Sequence, residues 1–182
     1  MRVITGLARG RKLKEPEGMD IRPTADQVKE SMFNIIQGDV EGRSCLDLFS
    51  GTGQMGIEAL SRGAESCVFV DADRAAVKLT KLNLERTGLE GKVFQADALR
   101  YLESKEKFDL IFIDPPYRSG LYEQVLQRIK VFDKLHTGGI MVVESSADFE
   151  PESPGVPYFK LRSYRYGKVR ITTFTKSEGS EP

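Results

Sequence analysis

The residues best suited to chemistry form the sequence Asp114-Pro115-Pro116-Tyr117. They follow the run 108–113, whose apolar character predicts a buried central strand of a parallel sheet. A carboxylate, two prolines without N–H donors and an aromatic ring can together hold a planar group that carries an NH2. Open α/β sheets bind their ligands at this carboxyl end of their strands. A rigid turn that simply ends the strand is the alternative interpretation.

The glycine-rich turn from Asp47 to Gly56 is a second candidate, and it follows the first predicted strand of the same sheet. Gly51, Gly53 and Gly56 match the pattern G-x-G-x-x-G, and Asp71 ends the next strand twenty residues after Gly51. Between a strand and a helix, this spacing predicts an adenosine-containing ligand whose ribose hydroxyls bind to Asp71. Glycines that serve only tight packing are the alternative.

Acidic residues at four strand ends indicate the charge of that ligand. They are Asp47, Asp71, Asp97 and Asp114. Carboxylates would repel the pyrophosphate of NAD but suit S-adenosylmethionine, which has no phosphate and bears a positive sulfonium. A Mg²⁺ site built from the four acids is the alternative, although glycines beside such a site are less expected. We predict no metal.

The elements that must position these residues alternate along the chain. Apolar runs predict strands at 44–49, 66–70, 92–96, 108–113 and 139–144. Helices are predicted at 55–62, 73–86, 98–103 and 122–131. This βαβ order is typical of a doubly wound α/β fold with helices on both faces of a mostly parallel sheet. Two further strands, 158–165 and 169–175, have no helix between them, so the seventh and last strand must run antiparallel.

The N-terminal part of the chain precedes this sheet. Residues 1–14 predict a short β-hairpin, and a capping box at Thr24 and Gln27 predicts a helix to about Gln37. We expect a single domain over residues 1–176, with an N-terminal extension at 1–38 and a ligand-binding core at 43–176. Residues 177–182 are expected to be a disordered tail.

Composition and charge narrow the class of protein. The 182 residues are 40% hydrophobic and 30% charged, and no apolar run approaches the length of a membrane span, so we expect a cytoplasmic protein. Although 27 basic residues balance 27 acidic ones, residues 1–14 and 155–176 contain basic residues and no acid. Aromatic residues interleave the second basic stretch. Both stretches suit a nucleic-acid surface or, alternatively, a solvated strand edge protected against aggregation.

Four motifs, in this order, resemble those of the class I S-adenosylmethionine-dependent amino-methyltransferases. They are Asp47 to Gly53, Val70-Asp71, Gln95 to Ala98 and Asp114 to Tyr117. A closer resemblance is to the ribosomal small-subunit methyltransferase D (RsmD) family. It is carried by residues 2–6, 9–13, 16–18, 22–26, 30–34 and 57–64 and covers the chain to about Phe174. Val169 departs from the family's Tyr-Gly turn, where Thr is expected.

The resemblance implies a Rossmann-like fold that transfers a methyl group from S-adenosylmethionine to the exocyclic N2 of a guanosine in 16S rRNA. The substrate would be an assembled or partly assembled 30S subunit, and the enzyme a monomer. An adenine-N6 DNA methyltransferase and a non-catalytic rRNA-binding assembly factor are the alternatives. A short chain leaves little room for the target-recognition region of the first, and the complete set of carboxylates disfavours the second.

The resemblance also assigns the site residues. The predicted catalytic residues are Asp114, Pro115, Pro116 and Tyr117. The predicted cofactor-binding residues are Asp47, Phe49, Ser50, Gly51, Thr52, Gly53, Asp71, Ala72, Asp97 and Ala98. Charge and resemblance together assign RNA contact to Arg2, Arg9, Arg11, Lys12, Arg22 and Arg118.

Individual roles follow from these assignments. Asp114 and the Pro115 carbonyl would accept the two N–H bonds of the base, and Tyr117 would stack on it. Asp97 would accept from the adenine amino group, cap the helix that starts at Ala98, or do both. Asp47 would order the glycine turn or bind the methionine amine.

Overall fold

The structure is a computed structural model and describes residues 1–16, 26–116 and 120–178. Five α-helices, one 3₁₀ turn and seven strands are present in this part of the chain. In order they are α1 (Asp26–Ile35), the 3₁₀ turn (Gln37–Asp39), β1 (Ser44–Leu48), α2 (Gln54–Ser61), β2 (Ser66–Asp71), α3 (Arg74–Thr87), β3 (Lys92–Gln95), α4 (Ala98–Tyr101), β4 (Phe108–Ile113), α5 (Leu121–Val131), β5 (Leu135–Ser146), β6 (Tyr158–Tyr166) and β7 (Val169–Lys176).

The seven strands form one sheet in the order β3-β2-β1-β4-β5-β7-β6. Strands β1 to β5 pair in parallel, and β7 pairs antiparallel with both β5 and β6. The predicted α/β fold, with an antiparallel last strand, is therefore confirmed. The chain reverses its direction of winding between β1 and β4, which pair with each other. Doubly wound sheets bind ligands at such a switch point, so the ends of these two strands are of most interest.

Each face of the sheet has its own hydrophobic core. Helices α1, α2 and α3, together with the N-terminal segment, cover one face, where Phe33 packs with Ile57 and Phe112. Helices α4 and α5 cover the other face, where Ile113 and Leu126 are buried. The prediction of helices on both faces is confirmed. We call the side that bears α1 the α1 face.

The N-terminal segment is less regular than predicted. Residues 1–14 form one isolated antiparallel bridge, between Arg2 and Lys12, instead of two strands. The Val3 N–H and carbonyl and the Leu13 N–H still form backbone bonds across a short hairpin, but beyond Val3 the chain bonds to helix α2. The N–H groups of Ile4 and Thr5 donate to the Glu58 carboxylate, at 2.8 and 3.0 Å. Docking on α2 therefore replaces part of the predicted strand pairing.

Other element ends also differ from the predictions. Strand β5 begins at Leu135, and its pairing with β4 is irregular near this end. The prediction began at residue 139 because His136-Thr137-Gly138 has no apolar pattern typical of a strand. Ser177, predicted to belong to a disordered tail, donates its N–H to the Pro157 carbonyl at 3.0 Å. The predicted cap Thr24 and residues 179–182 lie outside the described residues.

A buried ion pair fastens α1 and the N-terminal segment to α2. Lys29 and Glu58 have fully buried side chains, and their Nζ and Oε2 atoms lie 3.6 Å apart. The Lys29 ammonium also donates to the Arg2 carbonyl, and the Arg62 guanidinium donates to Glu58 at 2.8 Å. Burial lowers the pKa of Lys29, and the Glu58 carboxylate opposes that shift. Glu58 thus joins three parts of the chain through its two carboxylate oxygens.

Replacement of Glu58 tests this connection. Glu58→Ala is expected to lower the free energy of unfolding by about 3–5 kcal/mol, because it leaves the Lys29 ammonium buried without its carboxylate. Urea denaturation measures the change. Glu85→Ala, at an exposed position of α3, is the control and should shift stability by less than about 0.5 kcal/mol. Equal stability of Glu58→Ala and the unmodified protein would contradict this role.

Candidate active site

The glycine-rich turn joins the end of β1 to the start of α2. Phe49 adopts a left-handed φ of 69°, and the N–H groups of Phe49 and Ser50 both donate to the Val70 carbonyl. The Gly51 N–H donates to the Asp71 carboxylate at 2.8 Å. From α3, the Thr80 hydroxyl donates to the Gly51 carbonyl at 3.0 Å. The turn is thus held by β2 and α3, and Thr80 is a positioning residue that the sequence motifs did not reveal.

The glycines of the turn serve different purposes. A Cβ at Gly56 would lie 2.3 Å from the Phe69 ring, so this glycine lets α2 pack closely on β2. Gly53 has a φ of 77°, and a Cβ there would lie 2.8 Å from the Thr80 methyl group. At Gly51, with a φ of 54°, a Cβ would meet nothing within 4 Å. Open space beside Gly51 fits the predicted approach of a ligand, while Gly53 also has a packing reason.

The side chain of Asp47 points into the protein from within β1. Asp47 is 3% exposed, and its carboxylate accepts the Gly56 N–H in the first turn of α2 at 2.9 Å. Burial raises its pKa to about 7; the Gly56 hydrogen bond opposes the shift and the nearby Asp71 charge adds to it. Of the two predicted roles, the geometry shows the ordering of the glycine turn.

Asp71 and Asp97 stand at neighbouring strand ends. Asp71 accepts from Gly51 and also from the Asp73 N–H at 2.9 Å, and each of its oxygens retains a further lone pair for a ribose hydroxyl. Asp97 caps α4 by accepting the Arg100 N–H at 3.0 Å, as one of its two predicted roles required. The two acids therefore shape the backbone at the ends of β2 and β3.

A cavity of about 410 Å³ opens at these two strand ends. It is lined by Ala72, Gln95, Ala96, Asp97 and Arg100. It brings together Ala72 and Asp97, both predicted to bind the cofactor, beside the half-buried Asp71. A larger groove of about 530 Å³ lies at the opposite end of α2, around Ser61 and Gly63. That groove is away from the carboxyl ends of the strands and contains none of the predicted site residues.

Strand alternation places three carboxylates on the α1 face of the sheet. Asp47 pairs with Phe112 in β4, and Phe112 pairs with Val142 in β5. Asp114 and Glu144 each lie two residues further along, so both side chains belong to the same face. Glu144 was not among the predicted site residues. Its signal was an acid at the end of an apolar strand, the same signal that identified Asp114.

The surroundings of Asp114 strongly change the pKa of its carboxyl group. Burial, followed by the charges of Glu144 and Asp47, raises its pKa well above the ordinary value of 3.8. A carboxylate with a raised pKa is a better proton acceptor. The neighbouring Pro115 carbonyl lies 3.5 Å from the Tyr122 hydroxyl and keeps a lone pair for a second donor. Pro116 is exposed, while Tyr117 and Arg118 lie outside the described residues.

Two buried polar atoms beside the glycine turn have no hydrogen-bond partner among the described residues. They are the Ser50 hydroxyl and the Gln54 side-chain carbonyl oxygen. Buried polar groups are nearly always paired, so these two atoms indicate a place where a bound molecule supplies the partner. Ser50 was a predicted cofactor residue; Gln54 was missed, because its residue type matches no motif. Both oxygen atoms can accept hydrogen bonds, which fits the amine and hydroxyls of S-adenosylmethionine.

Two other predicted cofactor residues face the protein interior. The Thr52 hydroxyl lies 3.5 Å from the Met1 sulfur, and the Thr52 carbonyl accepts from Asn83 at 2.9 Å. Ala98 is buried in the core beneath α4. Asn83 also bonds to the backbone of Lys14, so it ties the turn to the N-terminal segment. Its position on the buried face of α3 gave no sequence signal of this role.

The residues predicted to contact RNA lie on the outer side of the N-terminal segment. Arg2, Arg9, Arg11 and Lys12 are all exposed. Arg2 forms an ion pair with Asp26 at 3.5 Å, and Arg11 donates to the Arg86 carbonyl at 3.2 Å. Arg2 thus lies near α1, and Arg11 lies near the end of α3. Arg22 lies outside the described residues.

Neither a cluster of metal ligands nor a membrane-spanning helix occurs in the described parts of the chain. Within 1–16, 26–116 and 120–178, no group of three or more His, Cys, Asp or Glu side chains is placed to hold a metal ion. No helix in these ranges has the length and apolar character needed to cross a membrane.

The sheet order, the glycine turn and the row of strand-end carboxylates define a Rossmann-like methyltransferase. A family model described as "Conserved hypothetical protein 95" matches residues 1–175. YlbH of Bacillus subtilis is 40% identical over 97% of this chain and 99% of its own length. Ribosomal RNA small subunit methyltransferase D of Escherichia coli is 35% identical over 86% of this chain and 79% of its own.

A solved structure agrees with these relatives. The Escherichia coli protein yhhF superposes with a TM-score of 0.87, at 32% identity, over 97% of this chain and 98% of its own. The chain belongs to the ribosomal small-subunit methyltransferase D family.

Asp47 makes stability depend on pH. Because its pKa is about 7 in the folded protein and ordinarily 3.8, the folded chain keeps a proton between these values that the unfolded chain has lost. Stability should therefore fall as pH rises through this window. Asp47→Asn keeps an oxygen for the Gly56 N–H and removes the buried charge. Above pH 7 it should be more stable than the unmodified protein by on the order of 1–3 kcal/mol.

Denaturant titrations at pH 5 and pH 8 would measure this effect. The control is Asp148→Asn, whose carboxyl is 92% exposed and should leave the pH dependence unchanged. An undiminished loss of stability between the two pH values in Asp47→Asn would show that Asp47 is not the cause.

Proposed function

We propose that this protein transfers a methyl group from S-adenosylmethionine to the exocyclic N2 of a guanosine in 16S rRNA. The observation that carries the proposal is the position of Asp114, which the pairing of β4 with β1 sets beside the glycine turn. Support also comes from relatives named ribosomal RNA small subunit methyltransferase D. The substrate we propose is an assembled or partly assembled 30S subunit, modified in the cytoplasm by a monomeric enzyme.

On the cofactor side, the residues would bind and orient a cationic molecule. Asp71 would accept bonds from the ribose hydroxyls while its other lone pairs hold the backbone of Gly51 and Asp73. The cavity beside Ala72 and Asp97 would take the adenine ring. Ser50 and Gln54, whose oxygen atoms lack partners, would accept from the polar groups of the ligand.

On the acceptor side, Asp114 and the Pro115 carbonyl would hold the two amino hydrogens of the base. A guanine amino group is a poor nucleophile, since its lone pair is delocalised into the ring. Acceptors aimed at both hydrogens favour the transition state, in which positive charge grows on the nitrogen. Pro115 is buried, which fixes the direction of its carbonyl. The base must enter unpaired or flipped out of a helix.

Bound S-adenosylmethionine would supply the methyl group: the N–C bond forms as the C–S bond breaks, leaving a neutral thioether and one amino proton to be removed. Asp114 would take that proton, because its burial, together with the charges of Glu144 and Asp47, raises its pKa and so its basicity. Proximity of nitrogen and methyl carbon would provide much of the acceleration.

Substitution of Asp114 tests this role. Asp114→Ala is expected to lower methyl transfer at least about 100-fold, since it removes the acceptor at which transition-state charge is stabilised. Binding of S-adenosylmethionine, measured by calorimetry, should change little. Asp148→Ala, an exposed carboxylate distant in sequence from the site, is the control. Near-normal turnover by Asp114→Ala would refute the assignment.

The identity of the labelled product separates the proposal from its rivals. Tritiated methyl transfer is measured to 30S particles that lack the modification, to naked 16S rRNA and to duplex DNA. N2-methylguanosine in particles or rRNA supports the proposal. N6-methyladenine in DNA would instead indicate a DNA methyltransferase, and particle binding without transfer would indicate an assembly factor.

Charge reversal tests the N-terminal RNA contacts. The double variant Arg9→Glu/Lys12→Glu should weaken RNA binding and reduce the magnitude of its salt slope by about 2, because two phosphate contacts are lost. Both side chains are exposed, so the fold should be retained. Lys105→Glu, an exposed cation before β4, is the control. An unchanged salt slope in the double variant would exclude this face.

A further inference from the structure

Strand β6 presents a second group of side chains typical of nucleic-acid binding. Past the bulge between Lys160 and Arg162, alternate residues point to the same side of the sheet, and they are Arg162, Tyr164 and Tyr166. The rings of Tyr164 and Tyr166 have centroids 6.4 Å apart, and the Arg162 guanidinium donates to the Tyr164 hydroxyl at 3.4 Å. Two aromatic rings and a cation therefore form a ladder along the edge strand, which we call the β6 ladder.

The register of the sheet aligns this ladder with Asp114. Ile113 pairs with Val143, so Asp114 comes next to Glu144. Glu144 pairs with Ile171 in β7, and Ile171 pairs with Tyr164 in β6. Since directly paired residues share a face of the sheet, one row runs from Asp114 to Tyr164 on the α1 face. Its length is three strand spacings, roughly 14 Å.

The exposure and charge of the β6 ladder indicate the kind of partner that it can bind. Tyr164 is 37% exposed and Arg162 is exposed, so the ladder is open to a partner. In the described residues, Arg162 forms no ion pair, whereas Arg165 pairs with Asp148 at 3.8 Å. An aromatic face beside a cation suits a base stacked above its own phosphate.

We propose that the β6 ladder binds the unpaired nucleotides that flank the target guanosine, with a base stacked on Tyr164 and a phosphate near Arg162. The proposal rests on the proposed function and adds to it a contact for single-stranded RNA at the exposed end of a row whose inner members, Glu144 and Ile171, are buried. A separation of roughly 14 Å corresponds to two or three nucleotides of extended chain. Bases paired in a duplex would not present free faces to Tyr164, so the ladder favours an open RNA segment.

The decisive variants differ only at the ring of Tyr164. Tyr164→Ala removes the ring, and Tyr164→Phe keeps it but removes the hydroxyl. The matched control is Leu161→Ala, which truncates an exposed side chain of the same strand. Binding is measured by fluorescence anisotropy with a twelve-nucleotide unpaired RNA and with a duplex RNA of equal length. Methyl transfer to the RNA substrate gives KM and kcat, and calorimetry gives the affinity for S-adenosylmethionine.

The ladder predicts a selective effect of the ring. Tyr164→Ala should weaken unpaired RNA binding and raise the KM for RNA, each roughly tenfold. Its kcat and its affinity for S-adenosylmethionine should stay unchanged, and Tyr164→Phe and Leu161→Ala should behave as the unmodified protein. Unaltered RNA binding and KM in Tyr164→Ala would overturn the proposal. Equal losses of affinity for unpaired and duplex RNA would also overturn it.

This outcome can be told apart from failure of the proposed function. If the unmodified protein transfers no methyl group to any RNA, the proposed function fails. The anisotropy comparison of Tyr164→Ala with Tyr164→Phe would still decide whether the β6 ladder binds unpaired RNA.

Discussion

Buried and half-buried carboxylates that accept backbone N–H groups are the interaction on which the other parts of the structure depend. A carboxylate removed from water is stable only when donors surround it. Asp47 takes its donor from the start of α2, and Asp71 takes donors from the glycine turn and from Asp73. Glu58 takes donors from the N-terminal segment, beside the buried Lys29. The same few side chains therefore hold the turn, the helix and the N-terminal segment in one arrangement.

This arrangement has an energetic cost that suits its proposed task. Asp47 and Asp114 have raised pKa values because burial disfavours their charged forms. Ionisation of Asp47 in this buried position costs stability in the empty site, and a cationic ligand beside it would offset that cost. The oxygen atoms of Ser50 and Gln54, which have no partner among the described residues, also favour a site that is completed by a ligand. The free energy that these buried groups cost the unliganded protein would be regained when it binds the sulfonium compound that we propose as its ligand.

The sheet also connects chemistry to recognition. Its α1 face carries the carboxylates at the ends of the central strands and, three strands away, the aromatic residues of the β6 ladder. A sheet is rigid across its strands, so the distance between these groups is set by hydrogen-bonded spacing instead of by flexible loops. Such a surface can hold a nucleotide segment in a constant position relative to Asp114. The N-terminal cations would add the second contact region that we propose for RNA.

The local pattern of the sequence determined the strands, most helices and the candidate carboxylates, because apolar periodicity, glycine spacing and acids at strand ends are short-range signals. It also indicated the antiparallel last strand, since no helix separates β6 from β7. Only the tertiary structure showed that Ile4 and Thr5 bond to Glu58 instead of extending the hairpin, because that choice depends on a helix more than fifty residues away. It alone placed Glu144 beside Asp114 and aligned Tyr164 with both, since strand order and register arise from packing across the whole sheet.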